Sequence, residues 1–189
     1  MTLFDEPEKQ IMARLSRWVA HGKLLRLRRG KYMLPVPYQK EMASLFYISN
    51  YLYRPSFISL FSALQHYQCI PEHVQAIQAV TTRQTKVWNT QVGRFQYFST
   101  HSERFFGYER VKLGPGLQQT ALIATLERAL VDICYFYSGE WTQNRWTELR
   151  LDLPDFFQRE RLLGYADRMQ SKKVLRSVHA LLKLVNKKQ

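Results

Sequence analysis

The sequence predicts an α+β protein, in which an N-terminal helix and β-hairpin precede a mixed α/β domain that ends in helices. Three observations predict it. Apolar residues recur with a 3.6-residue period from Ile11 to Val19, and past Gly22 they give way to strand-like alternation through Leu34. Between residues 74 and 123 the chain is rich in β-branched and aromatic residues and is broken by glycines. Helical periodicity returns at Leu126 and recurs towards the C-terminus.

In the first helix, Ile11, Met12, Leu15, Trp18 and Val19 form one apolar stripe. Gln10, Arg14, Arg17 and His21 fall on a different face and point outward together. Asp5 with Glu8 three residues on resembles a capping box, which would start the helix near Glu6. Gly22 suits the left-handed residue just past a helix end. In the hairpin, Leu25 and Leu27 alternate with Arg26 and Arg28, predicting one buried and one basic face. Arg29-Gly30 supplies the turn, because glycine tolerates the positive φ of a short hairpin. A basic helix followed at once by a basic hairpin is a partial winged helix, with the helix for a major groove and the hairpin for a phosphate strand.

Pro35 and Pro37 read as a stiff linker, so we place the first domain at 1–35 and the second at 38–189. Residues 39–53 look helical until Arg54-Pro55 interrupts them. Ser59 is placed to cap a short helix that runs through Tyr67 and ends before Pro71. The segments IQAVTT, TKVWNT, GRFQYF and ALIAT read as strands, with Gly93, Gly107, Gly114 and Gly116 at turns. Helices follow over 126–137, about 155–167 and 172–187.

Charge narrows the function classes. The chain carries 28 Lys and Arg against 15 Asp and Glu, a formal net charge of +13, which favours an anionic partner. Eight of the basic residues and no acid lie between Lys9 and Lys31. Another seven basic residues and no acid follow Asp167. No apolar run approaches the roughly 20 residues of a membrane helix, and the acids near the N-terminus do not fit a signal peptide, so the expected location is cytoplasmic. Cys69 and Cys134 make neither a disulfide framework nor a CxxC pair.

The block FISLFSALQHYQCIPE at 57–72 closely resembles a signature of the AbiEi-type antitoxins of type IV toxin–antitoxin systems. VTTRQTKVW at 80–88, GRFQYFST with FFGY after it at 93–108, and IATLERALVDICYF at 123–136 resemble that family in the same order. LSRWVAHGKLLRLRRGKYMLP resembles the end of its N-terminal winged helix. The resemblance implies a winged helix joined to a larger mixed α/β antitoxin domain. It implies repression of the protein's own operon through operator DNA with inverted repeats. It also implies protection against a nucleotidyltransferase toxin, with no stable complex required. Carried over to this sequence, the DNA-facing residues are Arg14, Arg17, Lys23, Arg26, Arg28, Arg29 and Lys31; the outward helix face adds Gln10 and His21. Members of the family usually carry further helices ahead of this one. The stripe of Ile11, Leu15, Trp18 and Val19 therefore needs cover from the hairpin and second domain, from preceding chain, or from another subunit in a homodimer.

Catalytic chemistry is not expected. His66, Cys69 and His73 lack a further ligand at zinc spacing, and Cys69 reads as a small buried hydrophobe. Glu127 suits a helix start and Asp132 a pair with Arg128, rather than a proton-transfer couple. Gly114-Pro115-Gly116 lacks the lysine and hydroxyl of a phosphate loop, and neither a nucleophile elbow nor nucleotidyltransferase acids are present. We therefore expect a non-enzyme without metal or cofactor. Lys172, Lys173, Arg176 and Lys183 on the last helix form either a solvated face or a second contact. Trp88, Phe95, Tyr97, Phe105 and Phe106 suit RNA stacking or, more simply, a sheet core. The competing function is an interaction module that does not bind DNA and recognises an acidic protein or structured RNA through these basic faces.

Overall fold

In the computed structural model, residues 7–114 and 119–188 are described. Helix α1, Glu8–Ala20, leads into a hairpin of β1, Leu25–Arg28, and β2, Lys31–Met33. A short 3-10 turn at Val36–Tyr38 precedes α2, Leu45–Leu52. Next come β3, Ser56–Ile58, α3, Leu60–His66, β4, Ala76–Thr81, β5, Lys86–Thr90, and β6, Gly93–Ser99. The chain then runs through β7, Tyr108–Lys112, and β8, Thr120–Ala124, into α4, Leu126–Phe136. It continues through α5, Gln143–Glu148, α6, Arg159–Arg168, and α7, Lys172–Lys188. This is an α+β architecture with one two-stranded and one six-stranded sheet among the described residues.

The large sheet has the order β5-β6-β4-β3-β8-β7. Its centre is mixed: β4 pairs parallel with β6 and β3 parallel with β8, while β3 and β4 run antiparallel. Strand β6 shows how the layers sit, because successive side chains alternate between faces. The Tyr97 hydroxyl donates to the Ser49 carbonyl of α2 at 2.9 Å. The next residue, Phe98, has its ring 5.2 Å from that of Phe136 on α4. The sheet therefore lies between α2 on one face and α4 on the other. Residues 126–134 of α4 are buried without interruption, which makes it the central helix. Phe95 and Tyr97 are fully buried, Phe106 is nearly so, and Trp88 and Phe105 pack against the same core. They are core residues rather than a base-stacking platform.

Several boundaries move, each for a local reason. Capping by Ser44, whose hydroxyl accepts from Phe46 N, starts α2 at Leu45 rather than at 39. Ser59 sits at the N-cap of α3 without a capping hydrogen bond, because its hydroxyl donates instead to Asp132 Oδ2 at 2.6 Å. Pro7 is the N-cap of α1, and the expected Asp5 cap lies outside the described residues. Residues 115–118, which include Pro115 and Gly116, are also outside them. Strand β3 was not foreseen; it has three residues, all buried, so it shows no alternation. Helix α5 has six residues with only Trp146 buried, too few to show a period.

Burial sets the acid–base behaviour of the core. It pushes the Cys134 thiol up to about 12. It raises the Cys69 thiol to about 11, with the charge of Asp152 adding to the rise, and the Tyr67 phenol to about 12. These groups keep their protons in the folded state while the unfolded chain ionises from its ordinary values near 9 and 10 upward. Their contribution to stability is complete below about pH 9 and is lost as pH rises towards 11–12. The urea midpoint is expected to fall between about pH 8 and pH 10.5, and neither cysteine to react with a thiol reagent at about pH 8 before unfolding.

Candidate nucleic-acid interface

Helix α1 presents the basic face that its spacing predicts. Arg14, Arg17, His21 and Lys23 line one concavity of about 450 Å³ together with Trp18. Positions 14, 17, 18 and 21 are neighbours one turn apart on a helix surface. Lys23 joins them because the chain reverses at once. Gly22 takes φ +69°, its amide donates to Val19 O at 3.0 Å, and Lys23 N donates to Trp18 O at 2.8 Å. His21 Nδ1 lies 2.7 Å from the Arg17 carbonyl, which can only accept. Nδ1 therefore carries the proton, and Nε2 is left as an acceptor or, on protonation, a second donor. Gln10 is exposed one turn ahead on the same helix.

Trp18 is the site residue that the sequence reading assigned elsewhere. Its spacing places it in the apolar stripe, yet it is 42% exposed and Met12 is 41% exposed. No residue of α1 is fully buried: Ile11, Leu15 and Val19 of the stripe are half-buried, and Met12 and Trp18 are exposed. An exposed indole beside two guanidinium groups provides both a stacking surface and charge.

The hairpin divides its basic residues into two sets. Arg29-Gly30 forms the turn, with Gly30 at φ +71°. Arg26 and Arg29 are exposed. Arg28 departs from the expected basic face. The register shifts between Arg26 and Arg28, and such a bulge re-aims side chains, so Leu27 and Arg28 both approach the body of the protein. Leu27 joins the main core, and the Arg28 guanidinium lies 4.9 Å from the Trp88 ring centroid and 5.9 Å from that of Tyr53. Lys31 pairs directly across from Arg28 and places Nζ 4.1 Å over the Tyr51 ring. Two of the nine residues therefore anchor the hairpin to the second domain, while Gln10, Arg14, Arg17, His21, Lys23, Arg26 and Arg29 remain on the outer side. Arg28→Ala is expected to lower stability by about 1 kcal/mol and to change DNA affinity by less than about threefold. Thermal melting and a binding titration of the variant check both parts.

The C-terminal basic residues divide in a similar way. Lys173 Nζ donates to the carbonyls of Tyr135 at 2.9 Å and Tyr137 at 2.8 Å, closing the end of α4. Arg176 pairs with Glu140, with Nε 2.6 Å from Oε1. Lys172 and Lys183 stay exposed. Among the described residues no group of three or more His, Cys, Asp or Glu gathers as a metal-binding set, and no helix is long and apolar enough to cross a membrane. No model of a known protein family matches this chain, and comparison with curated proteins finds no match either.

Proposed function

We propose that this protein is a DNA-binding transcriptional autorepressor and type IV antitoxin. The partial winged helix of residues 1–35 binds operator DNA with inverted repeats, and residues 38–189 form the module that counters a nucleotidyltransferase toxin in the cytoplasm. The observation that carries the DNA-binding half is the concavity that gathers Arg14, Arg17, Trp18, His21 and Lys23 at the turn from helix to hairpin. Four donors of positive or polar character in one shallow surface suit phosphates and base edges of a groove. The antitoxin half rests on the sequence resemblance and on the mixed α/β body that follows the hairpin. Inverted repeats require a two-fold pair of copies, so the bound species is a dimer.

Fluorescence anisotropy with duplex DNA from upstream of the protein's own gene tests the first half, at about 150 mM salt with excess non-specific competitor. Binding that survives the competitor supports an operator reader. With five phosphates neutralised, affinity drops roughly two to three orders of magnitude between about 50 and 200 mM salt. Affinity independent of salt overturns the reading. Growth rescue of cells that make the neighbouring toxin tests the second half separately.

The basic face of α1, with the exposed Lys172 and Lys183 of α7, favours one other reading, an interaction module that recognises an acidic protein or structured RNA. That module leaves operator DNA unbound in the same titration.

A further inference from the structure

We propose that the carboxyl ends of β4 and β6 form a second binding site, for a phosphate group carried by a small molecule. The two strands are adjacent, parallel and in register to their last residues, Thr81 opposite Ser99. Both segments leave the sheet at the same end, residues 82–84 from one strand and 100–102 from the other. Crevices outside the carboxyl ends of parallel strands are where open sheets with helices on both faces bind ligands.

The lining has the chemistry of an oxyanion site. The concavity there measures about 470 Å³, the size of a mononucleotide pocket. Its lining includes Thr82, Ser99 and Ser102 together with Arg83 and His101, and no carboxylate. Hydroxyl and guanidinium donors gathered around one space suit a tetrahedral anion that accepts several hydrogen bonds. Arg83 has no carboxylate partner among the described residues; its guanidinium lies 5.7 Å from the Tyr53 ring centroid.

The frame is also preorganised. Thr100 N donates to Thr81 O at 2.8 Å, tying the two segments together. The Thr81 hydroxyl donates to Pro55 O at 2.7 Å and accepts from Arg83 N at 3.1 Å, which holds the start of the Arg83 loop. Ser99 N donates to the Thr85 hydroxyl at 3.2 Å.

The test titrates the full chain with inorganic phosphate and, separately, with adenosine monophosphate, by calorimetry and by thermal shift. Saturable binding of either probe is expected. Tighter binding of the monophosphate assigns a phosphomonoester, and equal binding assigns phosphate itself. Arg83→Ala is expected to melt within about 2 °C of the parent without ligand, yet to bind either probe at least tenfold more weakly. Arg14→Ala with Arg17→Ala is expected to leave this binding unchanged. Three results overturn the proposal: no saturable binding, binding lost with Arg14 and Arg17 but kept without Arg83, or displacement of either probe by duplex DNA.

Discussion

Replacing Arg14 and Arg17 together by alanine is expected to weaken the proposed operator binding about 30-fold or more and to leave the melting temperature within about 2 °C. Each well-placed arginine contact is worth about 1–3 kcal/mol, and 2 kcal/mol is already close to 30-fold. Both side chains line the concavity beside Trp18, and α1 contains no buried residue, so their removal opens no cavity. Alanine is at least as good a helix former as arginine. The slope of affinity against salt falls by about two, one for each lost phosphate contact. An affinity and a slope equal to the parent's remove α1 from the DNA interface and leave the interaction-module reading. Rescue from the toxin is expected to persist in the variant, because the changes lie outside residues 38–189.

This face was legible because everything that builds it is local. A 3.6-residue period, a glycine past the helix end and a two-residue turn act over a few residues, and all three are found between Ile11 and Lys31. The division of the hairpin was not legible. Whether Arg28 or Arg26 faces outward depends on the bulge between them and on Tyr51, Tyr53 and Trp88, which arrive from later in the chain. The same holds for Lys173, whose role depends on where α4 ends. Strand existence could be read from β-branched and aromatic runs, but strand order could not. Ser56–Ile58 shows no pattern of its own and takes its place from partners at 79–81 and at Ile123. The pocket at the ends of β4 and β6 follows from that order and was invisible for the same reason.

Asp132→Ala is expected to be the most destabilising single change, by about 3–5 kcal/mol. The Asp132 carboxylate accepts from Arg128 Nε at 3.0 Å and Nη2 at 2.7 Å and from the Ser59 hydroxyl at 2.6 Å. Both members of the pair are fully buried. Burial raises the Asp132 pKa against the opposing pull of Arg128 and Ser59, which indicates how strongly this interior resists charge. The guanidinium lies 4.3 Å from the Phe106 ring centroid, and the stem of Arg128 passes close to Gly107. A Cβ at Gly107 would sit 3.1 Å from three Arg128 carbons, in a backbone conformation of φ +72° that side chains rarely adopt. Nothing nearby can replace the carboxylate, so alanine strands a buried cation. For a chain of this length the loss corresponds to a fall of roughly 6–20 °C in melting temperature. Changing both partners, Arg128→Met with Asp132→Leu, is expected to recover most of it, since apolar packing substitutes for a buried ion pair. A double variant as unstable as the single one shows that the pair's geometry, and not the stranded charge, is what matters.

The shallow seating of α1 would have a consequence for the proposed regulation. A helix of 13 residues in which Ile11, Arg14, Leu15 and Val19 are only half-buried and none is fully buried is near the length where isolated helices are marginal in water. Its helicity leans on its own propensity, on that partial cover and on the hydrogen bonds that close it at Gly22. Under the proposed function, the fraction of molecules with α1 fully wound would multiply directly into apparent operator affinity. Residues that touch no nucleotide would then act on the proposed repression. Ser16, whose hydroxyl bonds back to the Met12 carbonyl at 2.9 Å, lowers that fraction slightly, and alanine there raises it. Occupancy of the proposed operator would become a readout of helix–coil equilibrium, tunable from the outer side of the helix without altering a single contact.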